Sequence, residues 1–182
     1  MTPLALFPEV IAPSSSLPPM RGAASFSPCE RYRYTLTRTW AAGPALLICM
    51  LNPSTATASV LDPTVRRCVG FAQRERFAGL EVVNLFALRA TDPRELARAT
   101  DPVGPGNDAA IREAAARAGR IVAAWGDSLP AALRGRADAA LAILARPGDV
   151  HRIGSTTRRG SPKHPLYLAA ATPLELHRGR PP

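Results

Sequence analysis

The strongest constraint on this chain is an apolar run closed at both ends. Ala45, Leu46, Leu47, Ile48, Cys49, Met50 and Leu51 stand between Gly43-Pro44 and Asn52-Pro53. A run without a polar position presents no face to water, and its length is that of a strand, so it predicts a strand buried on both sides. The Asn-Pro pair then places a polar turn at the strand's carboxyl end, where ligands bind in open α/β sheets. The arrangement recurs where Leu80-Glu81-Val82-Val83 runs into Asn84-Leu85-Phe86, and a third polar cluster, Pro162-Lys163-His164-Pro165-Leu166, comes late in the chain. Three polar stations of this kind predict one composite site.

The remaining pattern sets the organisation. Residues 1–28 hold Pro, Ser and Ala with little periodicity and read as a disordered or loosely attached arm. Tyr32, Tyr34 and Leu36 alternate with Arg33, Thr35 and Thr37, which predicts a half-buried strand ending near Trp40. Asp62-Pro63 supplies an N-cap and a first-turn proline for a helix ending before Gly79, with Val65, Cys68, Val69 and Ala72 on one face. A buried strand at 80–86 is followed by a short helix after Asp92-Pro93 and by a helix over 108–118 that Asn107 can cap. A third buried strand over 120–126, a helix over 130–145 and a short strand at 150–154 complete the series.

Strands alternating with helices, each crossover long enough for a right-handed return, predict a parallel sheet covered on both faces. The expected fold is therefore α/β: a single three-layer domain over 29–176, with about four parallel strands and an N-terminal β extension. Residues 177–182 read as a basic tail. A chain of 182 residues can bury one sizeable core but not two.

Composition excludes several classes. No run approaches the roughly 20 apolar residues of a membrane helix. Pro3, Pro8, Glu9 and Pro13 interrupt what would be the apolar segment of a signal peptide, so the expected location is the cytoplasm, with no membrane partner. Cys29, Cys49 and Cys68 lack the spacing of a disulfide framework, a metal site or an iron–sulfur site; they read as core filler, and neither a cofactor nor a metal is expected.

Of the formal net charge of +9, +5 falls in residues 151–182. Arg outnumbers Lys 22 to one, as a GC-rich genome alone would give, so the isoelectric point carries little weight. Position carries more. Arg158, Arg159 and Lys163 lead directly to His164, and a basic loop beside a candidate site is what contact with the phosphates of DNA, RNA or a nucleotide requires.

Other features have plainer readings. Thr91-Asp92-Pro93 and Asp101-Pro102 are turn or helix-start signals, although Arg89 just upstream could face the site. Gly104-Pro105-Gly106 is too short for a phosphate loop. His177 has no partner at metal spacing and reads as solvated. Trp125-Gly126 packs core and ends a strand, and Asp127 is a helix cap or a fourth polar group at the site.

At these residues the chain resembles a family of small bacterial and phage proteins catalogued as a domain of unknown function. Its marks are Met-Leu-Asn-Pro-Ser-Thr-Ala at 50–56, the Asp-Pro-Thr helix start, Val-Val-Asn-Leu-Phe at 82–86, Asp-Pro-Val-Gly-Pro at 101–105, Ala-Trp-Gly at 124–126 and His-Pro-Leu at 164–166. The match runs from about Tyr32 to Leu168; Leu61 stands where the family usually has a second acid. More remotely, the order of the motifs is similar to that of the uracil-DNA glycosylase superfamily. There a strand ends in a turn of Asp-Pro or Asn-Pro type, a second ends in a base-reading Asn, a third ends in Gly, and a late loop carries a His.

That resemblance implies a fold of glycosylase type and roles for particular residues. Cleaving an N-glycosidic bond leaves positive charge on the sugar and negative charge on the base, so a site must hold water and face the base with a donor. Asn52 would orient water, His164 would donate to the developing anion, and Asn84 would read the base edge, with Pro53, Ser54 and Arg89 around the substrate. The plainer alternatives are a turn-capping Asn52, a strand-end amide at Asn84 and a loop histidine at 164. Met50, Ser54 and Leu166 depart from the superfamily's motifs, and no aromatic residue lies between Pro53 and Phe71, where a base-stacking ring would stand. Three functional classes remain open: a nucleobase-acting enzyme of N-glycosidic hydrolase type, a noncatalytic nucleic-acid or nucleotide-binding module, and a protein-interaction module.

Overall fold

Residues 20–54 and 62–177 are described by the structure, a computed structural model. In chain order their elements are β1 (Arg21–Phe26), β2 (Arg33–Thr39), β3 (Ala45–Met50), α1 (Pro63–Arg74), β4 (Gly79–Asn84), α2 (Arg94–Arg98), α3 (Asn107–Arg117), β5 (Arg120–Ala123), α4 (Gly135–Leu144), β6 (Val150–Ile153) and β7 (Leu174–Leu176). Short 3-10 turns occupy Ala131–Leu133 and Pro165–Tyr167. The closed apolar run is β3, with Leu46 to Cys49 fully buried at the centre of the sheet. Asp62 starts α1: its Oδ1 accepts the Val65 amide at 2.7 Å, and Pro63 fills the first helical position, whose amide has no helical partner.

Among the described residues the sheet is mixed and has seven strands, in the order β1-β2-β4-β3-β5-β6-β7. β3 pairs in parallel with β4 and β5, and β5 pairs in parallel with β6. Antiparallel strands extend it at both edges, β2 and β1 beyond β4, and β7 beyond β6. It is therefore wider than the expected sheet of about four parallel strands with an N-terminal β extension, and it is mixed. β1 and β7 escaped the sequence reading because edge strands are held mainly by backbone pairing; β1 is mostly exposed and β7 has three residues, too few for a period-2 signal.

Two apolar cores lie on opposite faces of the sheet. Leu46, Ile48, Met50, Leu80 and Val82 pack with Val65, Cys68, Val69, Phe71 and Ala72 of α1. The alternate positions Leu47, Cys49, Val83 and Ile121 pack with Ile111, Ala114 and Ala115 of α3 and with Ala140, Ile143 and Leu144 of α4. This partition follows from the period of a strand, which sends successive side chains to opposite faces. It also fits the connections. The step from β3 to β4 goes one way across the sheet with α1 on one face; the step from β4 to β5 goes back past β3 with α3 on the other face. Opposite directions with helices on opposite faces give crossovers of the same hand. The sheet thus reverses its winding between β3 and β5.

Several expectations are revised. The part of the 1–28 arm at residues 1–19 lies outside the described residues, as do residues 55–61 and 178–182 of the signature and tail. Arg21–Phe26, by contrast, is built into the sheet, in register with β2. The single helix expected over 130–145 is a 3-10 turn followed by α4. Asn107 does not cap α3. It is the first helical residue and fully buried, and its Nδ2 donates to the carbonyls of Asn84 and Leu85, both at 3.0 Å. The helix start is thereby tied to the end of β4. Among the described residues no helix is long and apolar enough to cross a membrane.

Candidate active site at the β3–β5 switch point

A cavity of about 660 Å³ opens where the winding reverses. Met50, Leu51, Asn52 and Ser54 reach it from the end of β3, and Trp125, Gly126, Asp127 and Ser128 from just beyond β5. Asp62, Thr64 and Val65 enter from the first turn of α1, Ala90, Thr91 and Pro93 from the segment after β4, and Thr157, Lys163, His164, Tyr167 and Leu168 from the late loop. Arg33 closes part of the wall. In open α/β sheets such a crevice arises without special design, because neighbouring connections leave in opposite directions at the strands' carboxyl ends.

The polar groups are held in defined ways. The Asn52 Nδ2 donates to the Ala90 carbonyl at 2.6 Å and to its neighbour Pro53 at 3.1 Å, so this amide pins the segment after β4 to the turn after β3. The Ala90 amide returns a bond to the Pro53 carbonyl at 3.1 Å. Gly126 joins the late loop to the sheet: its amide donates to the Pro162 carbonyl at 2.8 Å, and a Cβ placed there would stand 3.1 Å from the His164 Cβ. Its φ of 72° lies in the region that favours glycine. The Asp127 Oδ1 accepts from the Thr157 hydroxyl at 2.9 Å, and the Lys163 Nζ donates to the Ser155 hydroxyl at 2.9 Å.

His164 has a defined proton arrangement. It precedes the 3-10 turn at Pro165–Tyr167, and its Nδ1 accepts the Leu166 amide at 3.4 Å. An accepting Nδ1 puts the proton of a neutral imidazole on Nε2, leaving that N–H as a donor. Burial pushes its pKa down, and the Asp62 carboxylate opposes that shift. Neutral imidazole is therefore the form present at neutral pH. Burial likewise lowers Arg33, to about 10, with Asp62 again opposing. At neutral pH it still carries its charge.

The expected site residues do not all meet. Asn52, Ser54, Lys163 and His164 line the cavity; Pro53 is buried beside it and contributes its carbonyl to the turn. Asn84 does not line it. This residue is fully buried, and neither Nδ2 nor Oδ1 meets a partner, although Met50, its register partner on β3, is on the cavity wall. Arg89 faces elsewhere: its guanidinium lies 5.4 Å from the Phe26 ring centre, and its Nη1 donates to the Glu30 carbonyl at 3.2 Å. Arg158 is exposed away from the cavity, and Arg159 borders a separate depression with Asp138 and His177.

Nor is His177 solvated. It is half-buried, its amide donates to the Val150 carbonyl at 2.8 Å, and its ring meets Trp125 edge-on at 6.4 Å. The antiparallel pairing of β7 with β6 draws this end of the chain back over the sheet.

Other residues at the cavity have no site role in the sequence reading. Asp62 is there only a helix start, and it does cap α1, but it also lines the cavity. Tyr167 is 83% exposed, with its ring centre 5.7 Å from that of His164. It supplies an aromatic wall far in sequence from the segment between Pro53 and Phe71. Trp125, 5% exposed, is also among the lining residues. The signal that could have found Tyr167 is its place three residues after His164. Among the described residues no group of three or more His, Cys, Asp or Glu side chains is arranged to hold a metal ion.

No curated protein and no solved structure matches the chain. A family model does, that of the protein of unknown function DUF1643, over residues 33–166. That span takes in the core from β2 to the His164 loop, and the chain belongs to the DUF1643 family.

Proposed function

We propose that the protein is an enzyme of the cytoplasm that binds a nucleobase-bearing ligand in this cavity and hydrolyses its N-glycosidic bond. The observation that carries the reading is the meeting of a neutral His164, its proton on Nε2, with the Asp62 carboxylate and an aromatic wall at the switch point between β3 and β5. The size of the cavity is within the range that small-molecule sites use. The exposed Tyr167 offers a flat surface for a planar base, while Asn52, Thr64 and Thr91 offer polar groups to its edge. Cores on both faces of the sheet and the order of the motifs support a three-layer arrangement similar to that of the uracil-DNA glycosylase superfamily.

In this mechanism the bond between sugar carbon and base nitrogen breaks with its electron pair leaving on the base. The His164 Nε2–H donates a hydrogen bond to the base oxygen on which that charge collects, and a neutral donor suits the task because it need not give up its proton. Asp62 stabilises the cationic sugar and takes a proton from the water that adds to it. Its Oδ1 is already fixed by the Val65 amide, so the carboxylate is oriented before substrate arrives. Base release from a panel of modified oligonucleotides and free nucleosides tests this. His164→Ala should slow release about a hundredfold, the equivalent of about 3 kcal/mol in lost donor stabilisation. Asp62→Asn, which retains a capping side chain, should slow it at unchanged stability. A wild-type protein inert across the whole panel sinks the proposal.

One observation favours a second reading, a noncatalytic module binding the same ligand class. The Asn52 amide nitrogen is committed to two backbone carbonyls and Asn84 lies outside the cavity, so of the three groups expected to act on substrate one has another duty and one does not reach the site. In that case the panel would yield binding without release.

A further inference from the structure

The helix that walls the cavity borders a second concavity on its outer side. This groove of about 560 Å³ is lined by Arg66, Arg67, Gly70, Phe71, Arg74 and Leu166, and its lining includes no carboxylate. We propose that the groove holds the phosphate backbone of a single-stranded nucleic acid whose neighbouring base occupies the cavity, an inference that rests on the nucleobase reading of that cavity.

The charges are divided unequally. Arg74 is engaged, since it donates to the carbonyls of Ala170 and Thr172 and pairs with Glu75, so it builds the wall. The side chains of Arg66 and Arg67 make no hydrogen bond or ion pair among the described residues. They are cations at a groove with nothing inside the described fold to answer them. Guanidinium groups suit phosphate because their donors form a planar fork that matches its oxygens.

Gly70 points the same way. It sits in the middle of α1, where glycine is a poorer helix former than alanine, and no atom of the fold lies within 4 Å of the Cβ an alanine would add. Packing within the chain therefore does not require glycine here. What its absent side chain preserves is the open floor of the groove, beside the half-buried Leu166, against which a sugar or base face can rest.

Groove and cavity are contiguous through shared elements. Thr64 and Val65 line the cavity, and Arg66 and Arg67 line the groove; Leu166 lines the groove, and the exposed Tyr167 lines the cavity. From Thr64 to Arg67 the helix rises only about 5 Å. A strand with a base in the cavity thus brings its next phosphate towards the two arginines. This continuity favours a nucleic acid over an acidic peptide. It also moves the phosphate contact away from Arg158 and Arg159, neither of which lines the cavity or the groove.

The test is fluorescence anisotropy with a short labelled single-stranded oligonucleotide over a series of salt concentrations, alongside calorimetry with free nucleosides. Replacing Arg66 and Arg67 together by Ala should reduce the slope of log affinity against log salt by about 1.4, two contacts at about 0.7 each. Arg158→Ala with Arg159→Ala should leave the slope as in the wild type. Gly70→Leu should fill the groove and weaken the oligonucleotide while nucleoside binding stays unchanged, with Gly70→Ala as the folded control. An unchanged slope in the Arg66 and Arg67 variant overturns the inference, as does an absence of oligonucleotide binding at low salt, or polyglutamate displacing the oligonucleotide at equal charge concentration. Oligonucleotide binding that depends on Arg66 and Arg67, with no nucleoside affinity and no base release, sustains the groove and sinks the cavity's proposed function instead.

Discussion

Asn52 and Asn84 close apolar runs on adjacent parallel strands, and in sequence they look like two copies of one device. In the structure they differ completely. Asn52 lines the cavity and spends its amide on two carbonyls, whereas Asn84 is sealed with both amide atoms unpaired. The difference lies in the path the chain takes beyond each residue. After Asn52, Pro53 turns the chain away. After Asn84 the chain continues beside the end of β3, the Leu85 amide donating to Met50 at 2.8 Å and the Phe86 amide to Leu51 at 3.0 Å, and Asn107 donates to the carbonyls of Asn84 and Leu85. A polar residue ending an apolar run marks a site only when the chain then leaves the sheet.

The largest effect that could break this contrast is at Asn84. Asn84→Asp would place a carboxylate where no partner waits, and should destabilise the fold by about 3 kcal/mol, read by chemical denaturation. Asn84→Leu should instead stabilise by about 1 kcal/mol, since it removes two unpaired polar atoms at similar volume. If the leucine variant is less stable, Asn84 has a partner that the contrast denies it. If it is stable but binds no ligand, Asn84 reads substrate after all.

Gly126 is the next position, because it decides whether the late loop reaches the end of β5. Gly126→Ala combines a left-handed backbone with crowding against the His164 Cβ, and should cost about 1–2 kcal/mol while displacing His164. Loss of base release with a smaller loss of stability would sharpen the contrast, since it would show a site assembled by an approach between segments. Full activity in a folded Gly126→Ala protein would show that the placement of His164 does not depend on this contact. Asn52→Ala ranks below it. Two donations to backbone are lost, about 1 kcal/mol net, and the segment carrying Ala90 and Thr91 should exchange its amide hydrogens faster.

The same contrast explains how much of the molecule is legible in its sequence. The buried strands, α1 with its Asp62-Pro63 start and the alternation of strand and helix are legible, because each leaves a local pattern in apolar period or cap chemistry. The edge strands β1 and β7 are not, since backbone pairing leaves little trace in side chains. At the site, Asn52 and His164 are legible as polar residues at turns. Asp62 is legible only as a cap, because one carboxylate serves both the helix and the cavity. Tyr167 and Arg33 are hidden for a different reason: one is brought in by a loop that Gly126 anchors, the other by β2, which precedes the core in sequence. Charge is dense in sequence near Arg158 and Arg159, yet neither lines the cavity or the groove beside it. A helix shows its cations only once its faces are assigned, so Arg66 and Arg67 are invisible as a pair at a groove.

The smallest predicted effect concerns pH and compares the two histidines whose pKa burial lowers, His164 at the cavity and His177 behind Trp125. Burial lowers both, with the Asp62 carboxylate opposing the shift at His164 and the Arg152 charge reinforcing it at His177. A histidine with a folded pKa below its unfolded value takes up protons more readily when unfolded, so stability is full above about 6.5 and falls as pH drops through and below that value. Carboxylates titrate lower, which leaves the interval from about pH 7 to 5 to the histidines. Denaturation midpoints in that interval should decline on acidification, and His164→Gln with His177→Gln should flatten the decline. If His177→Gln alone flattens it, burial at the cavity is weaker than the neutral-donor mechanism needs. If His164→Gln contributes as well, the imidazole facing the ligand is held neutral by the fold itself, before any base is bound.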